Sequence, residues 1–222
     1  MTRRTSSKLR PVVPGVRLAL VEEDQPASQL ALLERGEVHL SVNVINMVAP
    51  DEARFGRYLL PRFQVIAASP LSMRLGRSDT IDIGRLAEQP LLLPNPSFAT
   101  RNIFDAACRL AGVRPQVALE SRAAHALLAL AEAGHGVAIV PSILPLDRHA
   151  LSPLRVTHRR APLTIALAVL WGRRRTLPHY AARFGELLAA HIRETRPHAR
   201  PRTRRKHRCH APRRDDQVGV LP

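Results

Sequence analysis

The sequence predicts an α/β fold, and three observations carry that prediction. Short apolar runs of strand length alternate with segments of helical periodicity, Gly, Pro and capping residues fall at the junctions between them, and 45% of the 222 residues are hydrophobic. A chain of this length and composition can bury a sizeable core in one or two lobes.

The first element is read at "GVRLALVEE", an apolar run behind Pro14-Gly15 that predicts a strand beginning near Val16. A helix follows. Asp24 or Gln25 stands at its start, Pro26 occupies a first-turn position where a missing N–H costs nothing, and Leu30, Ala31 and Leu33 lead to Gly36 as terminator. "VHLSVNVI", residues 38–45, alternates Val38, Leu40, Val42 and Val44 with His39, Ser41 and Asn43, the period of a half-buried strand. A polar loop containing Pro50 and Asp51 then separates it from a further strand, "RFQVIAAS".

From Thr80 onward the pattern gives a short helix near Ile83 and a buried strand at Leu91 to Leu93, followed by a Pro-rich loop. Thr100 is a competent N-cap for a helix with Ile103, Ala107, Leu110 and Ala111 on its inner face, and Gly112 lies just past its end. "PQVALE" reads as a strand, Ala123, Leu127, Leu130 and Ala131 mark one face of another helix, and "GVAIVP" is a strand again. After a Pro- and Arg-rich passage at 145–162, "LTIALAVLW" predicts one nine-residue strand, and Ala181, Phe184, Leu187 and Leu188 define a final amphipathic helix. Strands alternating with helices imply parallel pairing.

"LALAEAGHGVAIVP", residues 128–141, holds two glycines around a histidine. A dinucleotide fingerprint needs G-x-G-x-x-G after a strand and at the start of a helix, whereas Gly134 and Gly136 leave a helix and enter a strand, with Ile139 in the third glycine's place. His135 has no carboxylate orienter visible in the sequence, and no G-x-S-x-G elbow occurs. The glycines are expected to make a joint: Gly134 as a left-handed cap, Gly136 as a tight entry to the strand. His125, His135, His149 and His158 show no metal-ligand spacing, so no metal and no cofactor is expected.

The net charge is +16, but residues 197–222 hold eight Lys or Arg against Asp215 and Asp216, which leaves +10 for residues 1–196. Residues 1–11 and 196–222 are expected to be disordered basic tails; an arginine run of this kind attracts nucleic acid or anionic lipid by charge alone, though a solvated tail without a selected role is the favoured reading. Cys108 and Cys209 form no disulfide framework. No run reaches the ~18 apolar residues of a membrane helix, and the start lacks a signal-peptide pattern, so a cytoplasmic location without membrane contact is expected.

In order along the chain, "PGVRLALVE", "LLERGEVHLSV", "ASPL", "IGRLAEQPLLLPNPSFATRNIFDAACRLAGV", "PQVALES", "LALAEAGHGVAIVP" and "LPHYAARFGELL" resemble the effector-binding domain of LysR-type transcriptional regulators, over about residues 12–190. The resemblance implies a type II periplasmic-binding-protein-like fold: two lobes of parallel or mixed sheet flanked by helices, joined by two crossovers, with a small organic effector in the cleft. Lobe one would be residues 12–69 plus 161–195, lobe two residues 70–160, and the crossovers would lie near Ser69-Pro70 and Pro162. Ser97, Phe98 and Thr100 correspond to the family's pocket loop, while Asn43 and Ser121 occupy other cleft positions; Ser97 and Thr100 are equally suited to capping a helix. Arg101, Arg122 and the amides near Thr100 favour an anionic effector. Dimers or tetramers are implied in the same way.

The family's winged helix-turn-helix does not precede Met1, and only about a dozen residues stand before "PGV", where the family has a further strand and helix. The expectation is therefore a truncated regulator that lacks this first strand and helix of lobe one. Such a chain would bind DNA only in a full-length form, or nonspecifically through its basic tail, and lobe one would be the weaker half. His39 also replaces an aspartate common after "GE" in the family. Two other readings share the fold: a periplasmic-type solute-binding protein, which would need an export signal, and a small enzyme, for which Glu120 is the tempting side chain.

Overall fold

The computed structural model describes residues 16–23, 25–45, 51–73, 75 and 78–194. The tails expected at residues 1–11 and 196–222 lie outside the described residues, as does Cys209. The elements in chain order are α1 (Pro26–Arg35), β1 (Ser41–Val44), β2 (Phe55–Leu59), β3 (Phe63–Pro70), β4 (Thr80–Asp82), α2 (Ile83–Ala87), β5 (Pro90–Pro94) and α3 (Ala99–Ala111). They continue with β6 (Gln116–Ser121), α4 (Ala124–Glu132), β7 (Val137–Pro141), β8 (Leu151–His158), β9 (Ala161–Pro162), β10 (Thr164–Ile165), β11 (Leu167–Gly172) and α5 (His179–Glu194).

Two sheets result. The larger has the order β4-β8-β3-β7-β5-β6, with β10 added to β3 and β9 to β8. Strands β4, β8, β7, β5 and β6 share one direction and β3 opposes its neighbours, so parallel pairing holds for β4·β8, β5·β7 and β5·β6 but not for β3. The smaller sheet, β1-β11-β2, is antiparallel throughout.

Alternation along the central strands explains why helices cover both faces of the larger sheet. Val65, Ala67, Leu91, Leu93, Val137 and Ile139 face a core shared with Ile83 and Leu86 of α2 and Phe104 and Ala107 of α3. The intervening Ile66, Ala68, Leu92, Ala138 and Val140 face Leu127, Leu128 and Ala131 of α4. Strands buried on both sides read as continuous apolar runs, as "LLLP" and "VAIVP" do. The smaller sheet repeats the plan with less material: Leu33 of α1 meets Phe55, Ala168 and Leu170 on one face, and Ala189 of α5 meets Leu60 and Val169 on the other.

Helix α1 begins at Pro26 behind Gln25 and ends at Gly36, whose φ of 72° accommodates the left-handed cap. The glycine joint forms as expected: Gly134 has φ +89°, with its N–H on Ala131 O, and Gly136 has φ +150°. A Cβ on Gly136 would sit 2.4 Å from Pro90 O, so the close approach of β7 to β5 demands glycine there.

Several expectations are corrected. Residues 16–23 form no strand; no strand among the described residues pairs with them, and Val16, Leu18, Leu20 and Val21 are exposed. Strand β2 lies inside the stretch read as loop, where Arg57 and Tyr58 interrupt its apolar signal, and β8 lies inside the Pro- and Arg-rich passage. The α3 N-cap is Phe98, with no side-chain cap; Thr100 lies within the first turn and is buried. Strand β3 belongs wholly to the larger sheet, so the chain changes sheets at residues 60–62, ahead of Ser69-Pro70. It returns at Ala166, beyond Pro162, because "LTIALAVLW" is two strands: β10 pairs with β3 and β11 with β1 and β2.

Candidate functional site

A cavity of about 540 Å³ is lined by Val21, Glu22 and Glu23 on one side and by Phe98, Arg122 and Ala123 on the other. Its second wall is built at the carboxyl ends of the parallel strands β5 and β6, where the chain turns into α3 and α4. Ligands gather at this edge of an open α/β sheet because helix N-termini present amides without intrahelical partners. Here Phe98 is the N-cap of α3 and Ala123 the N-cap of α4, and neither helix has a side-chain cap.

The turn before α3 is shaped by "NPS". Asn95 Oδ1 accepts the Ser97 N–H at 3.1 Å, Asn95 O accepts the Phe98 N–H at 3.0 Å, and the Asn95 N–H donates to Ser121 O at 3.0 Å, tying this turn to the end of β6. Ser121 Oγ in turn accepts the Ala123 N–H at 3.1 Å. Arg101 braces the wall: its Nη1 donates to Pro94 O at 3.2 Å and to Glu120 Oε1 at 2.6 Å, and its Nε donates to both carboxylate oxygens of Asp105. Although burial lowers its proton affinity, the hydrogen bonds to Glu120 and Asp105 outweigh it and hold the guanidinium above its ordinary pKa.

The opposite wall is held from the smaller sheet. Asn43, buried on β1, donates through Nδ2 to Pro26 O at 3.4 Å, and Ser41 Oγ donates to Gln29 Oε1 at 3.2 Å. Gln29 Nε2 donates to Glu23 O, and Glu23 Oε1 accepts the Gln25 N–H at 2.8 Å. Strand β1 thereby fixes the start of α1, and α1 fixes Glu23.

Of the six residues singled out in the sequence, Phe98 lines the cavity; Ser97, Arg101 and Ser121 form the frame behind it, Thr100 is buried in the first turn of α3, and Asn43 stands behind the facing wall. Two of the six carry a buried oxygen without a hydrogen-bond partner, Asn43 Oδ1 and Ser97 Oγ. The sequence reading missed Val21, Glu22, Glu23 and Ala123 as cavity walls and Asn95 as the organiser of the turn. The signal for Asn95 was present in "NPS", whereas the acidic wall depends on long-range placement that no local pattern reveals. Among the described residues no group of three or more His, Cys, Asp or Glu is placed to hold a metal ion.

Comparison with known proteins gives one consistent answer. The model of the LysR substrate binding domain matches residues 5–193. The chain is similar in structure to the effector-binding domain of QuiR in complex with shikimate, with a TM-score of 0.61 and 13% identity over 77% of this chain and 79% of that one. It is similar to the C-terminal domain of a probable LysR family transcriptional regulator from Rhodococcus sp. RHA1, with a TM-score of 0.61 and 20% identity over 75% and 81% of the two chains. The Synechocystis PCC6803 CcmR regulatory domain in complex with 2-PG gives a TM-score of 0.61 at 15% identity over 76% and 80%. In sequence, the chain is 24% identical over 120 residues to the uncharacterized HTH-type transcriptional regulator YybE of Bacillus subtilis (strain 168), a match spanning 54% of this chain and 40% of that protein.

Proposed function

Because this chain belongs to the LysR substrate-binding-domain family of transcriptional regulators, we propose that it is a sensing domain that binds a small organic effector between its two sheets, and that binding rather than catalysis is its task. The observation that carries this reading is the cavity at the carboxyl ends of β5 and β6, where two helices begin without side-chain caps. Asn43, Ser97, Phe98, Thr100, Arg101 and Ser121 are the residues assigned to the effector site: Phe98 as a wall and the others behind the walls, where Ser97 and Asn43 each carry an unpartnered oxygen.

An anion is favoured on the side of Arg122 and the α3 and α4 amides. A catalytic role for Glu120 is disfavoured, because its carboxylate is tied to Arg101 in a structural ion pair. The described residues include no DNA-binding domain, so operator recognition is assigned to a different part of a regulator. No helix among the described residues is long and apolar enough to cross a membrane, which fits the cytoplasmic location proposed for a regulator. Self-association as a dimer or tetramer is supported by β6, an edge strand of the larger sheet on which Val117 and Leu119 are exposed, and sedimentation measures it directly.

The test is a thermal-shift screen of small carboxylic acids, amino acids and amines, with shikimate among the acids, followed by calorimetry. A binder is expected to raise Tm by an amount that grows with the logarithm of its concentration above Kd. A folded protein that responds to none of them would overturn the reading.

A further inference from the structure

Resting on the reading of this cleft as an effector site, we propose that its ligand is a zwitterion: a small molecule carrying both an ammonium and a carboxylate on an apolar body, as an α-amino acid does. The cavity walls differ in sign. On one side stand Arg122 and the starts of α3 and α4, whose dipoles place partial positive charge at the wall. On the other side stand Glu22 and Glu23, with Glu23 Oε1 accepting the Gln25 N–H at 2.8 Å.

Neither a simple acid nor a simple amine matches that arrangement. A monoanion seated against Arg122 leaves two acidic residues facing it across the cavity, and a cation seated against Glu22 and Glu23 faces Arg122 and two helix N-termini. A ligand with both charges satisfies both walls. Val21 and Phe98 supply the apolar contact between them, and at about 540 Å³ the cavity suits a molecule of amino-acid size or somewhat larger. Behind this wall, in the turn that leads into α3, Ser97 Oγ is buried without a hydrogen-bond partner.

The experiment is calorimetry on the full chain with matched probes: phenylalanine, hydrocinnamate and phenethylamine; leucine, isocaproate and isoamylamine; and shikimate alone. At least one amino acid is expected to bind, with both of its single-charge analogues weaker by about tenfold or more, because a site built around a polar group rejects the analogue lacking it. The double variant Glu22→Gln, Glu23→Gln is expected to weaken the amino acid and to close its gap to the des-amino acid, while circular dichroism confirms its fold. A carboxylate or amine that binds as tightly as its amino acid, or binds where the amino acid does not, overturns this inference and leaves the sensing role standing. Failure of every probe, shikimate included, to bind a folded protein overturns both.

Discussion

Arg101 Nη1 donates to Glu120 Oε1 across 2.6 Å, pinning the first turn of α3 to the end of β6. The Arg101 side chain is 12% exposed and also holds Pro94 O and Asp105, so one guanidinium joins a strand end, a helix and a second strand. Arg101→Ala is expected to cost about 2 kcal/mol in urea denaturation, the scale of losing charge-assisted hydrogen bonds at a mostly buried site. Arg101→Lys recovers only part of this, because an ammonium cannot span a carbonyl and two carboxylates in the same geometry.

Ser97 gives the opposite sign. Its Oγ is buried and makes no hydrogen bond, so Ser97→Ala removes a desolvated polar atom, and the ligand-free protein is expected to be unchanged or up to about 1 kcal/mol more stable. The same substitution is expected to weaken effector binding in calorimetry. Tm and affinity moving apart in this way distinguishes a ligand contact from a packing residue.

Two glycines, one closing α3 and one leading into β7, predict different penalties for a methyl group. At Gly136, with φ +150° and Pro90 O 2.4 Å from the position of a Cβ, Gly136→Ala is expected to destabilise by about 3 kcal/mol, combining backbone strain and overpacking. At Gly112, with φ +69° and open space around it, Gly112→Ala is expected to cost about 1 kcal/mol, from the left-handed backbone alone. Paired chemical denaturation curves check the order.

Burial, with Asp105 adding to it, pushes the Cys108 thiol from its ordinary 9.0 up to about 11. The folded state thus holds this proton more tightly than the unfolded chain. Its contribution to stability is complete below pH 9 and is lost progressively as pH rises toward about 11. The stability difference between the parent and Cys108→Ala is expected to shrink over that window. In a Cys209→Ser background, Cys108 is expected to react slowly with a thiol reagent at pH 8 until the protein is unfolded.

The parts of this molecule legible in the sequence are those decided locally. Pro26 and Gly36 bound α1, Gly112 closes α3, and the runs at Leu91 and Val137 could only be strands buried on both faces. Pairing between distant segments hid the rest. "LTIALAVLW" is uniformly apolar whether it serves one sheet or two, so nothing in it marks the change at Ala166. Val16 to Val21 has strand composition, yet composition makes a strand only where a neighbour accepts its backbone. The frame of the site was visible in "NPSFATRN" because its hydrogen bonds are mostly short-range; the acidic wall was not, since Glu23 reaches the cavity through Gln29, α1 and β1.

The two passages between the sheets are bonded to one another. Leu60 N–H donates to Leu167 O at 3.0 Å, Val65 N–H to Leu163 O at 2.9 Å, and Ile165 stands opposite Phe63. They therefore form a two-stranded ribbon whose backbone hydrogen bonds couple the two passages. In the proposed sensing domain, closure around an effector is then expected as a rocking of the two sheets about this ribbon, which any neighbour gripping both of them would read.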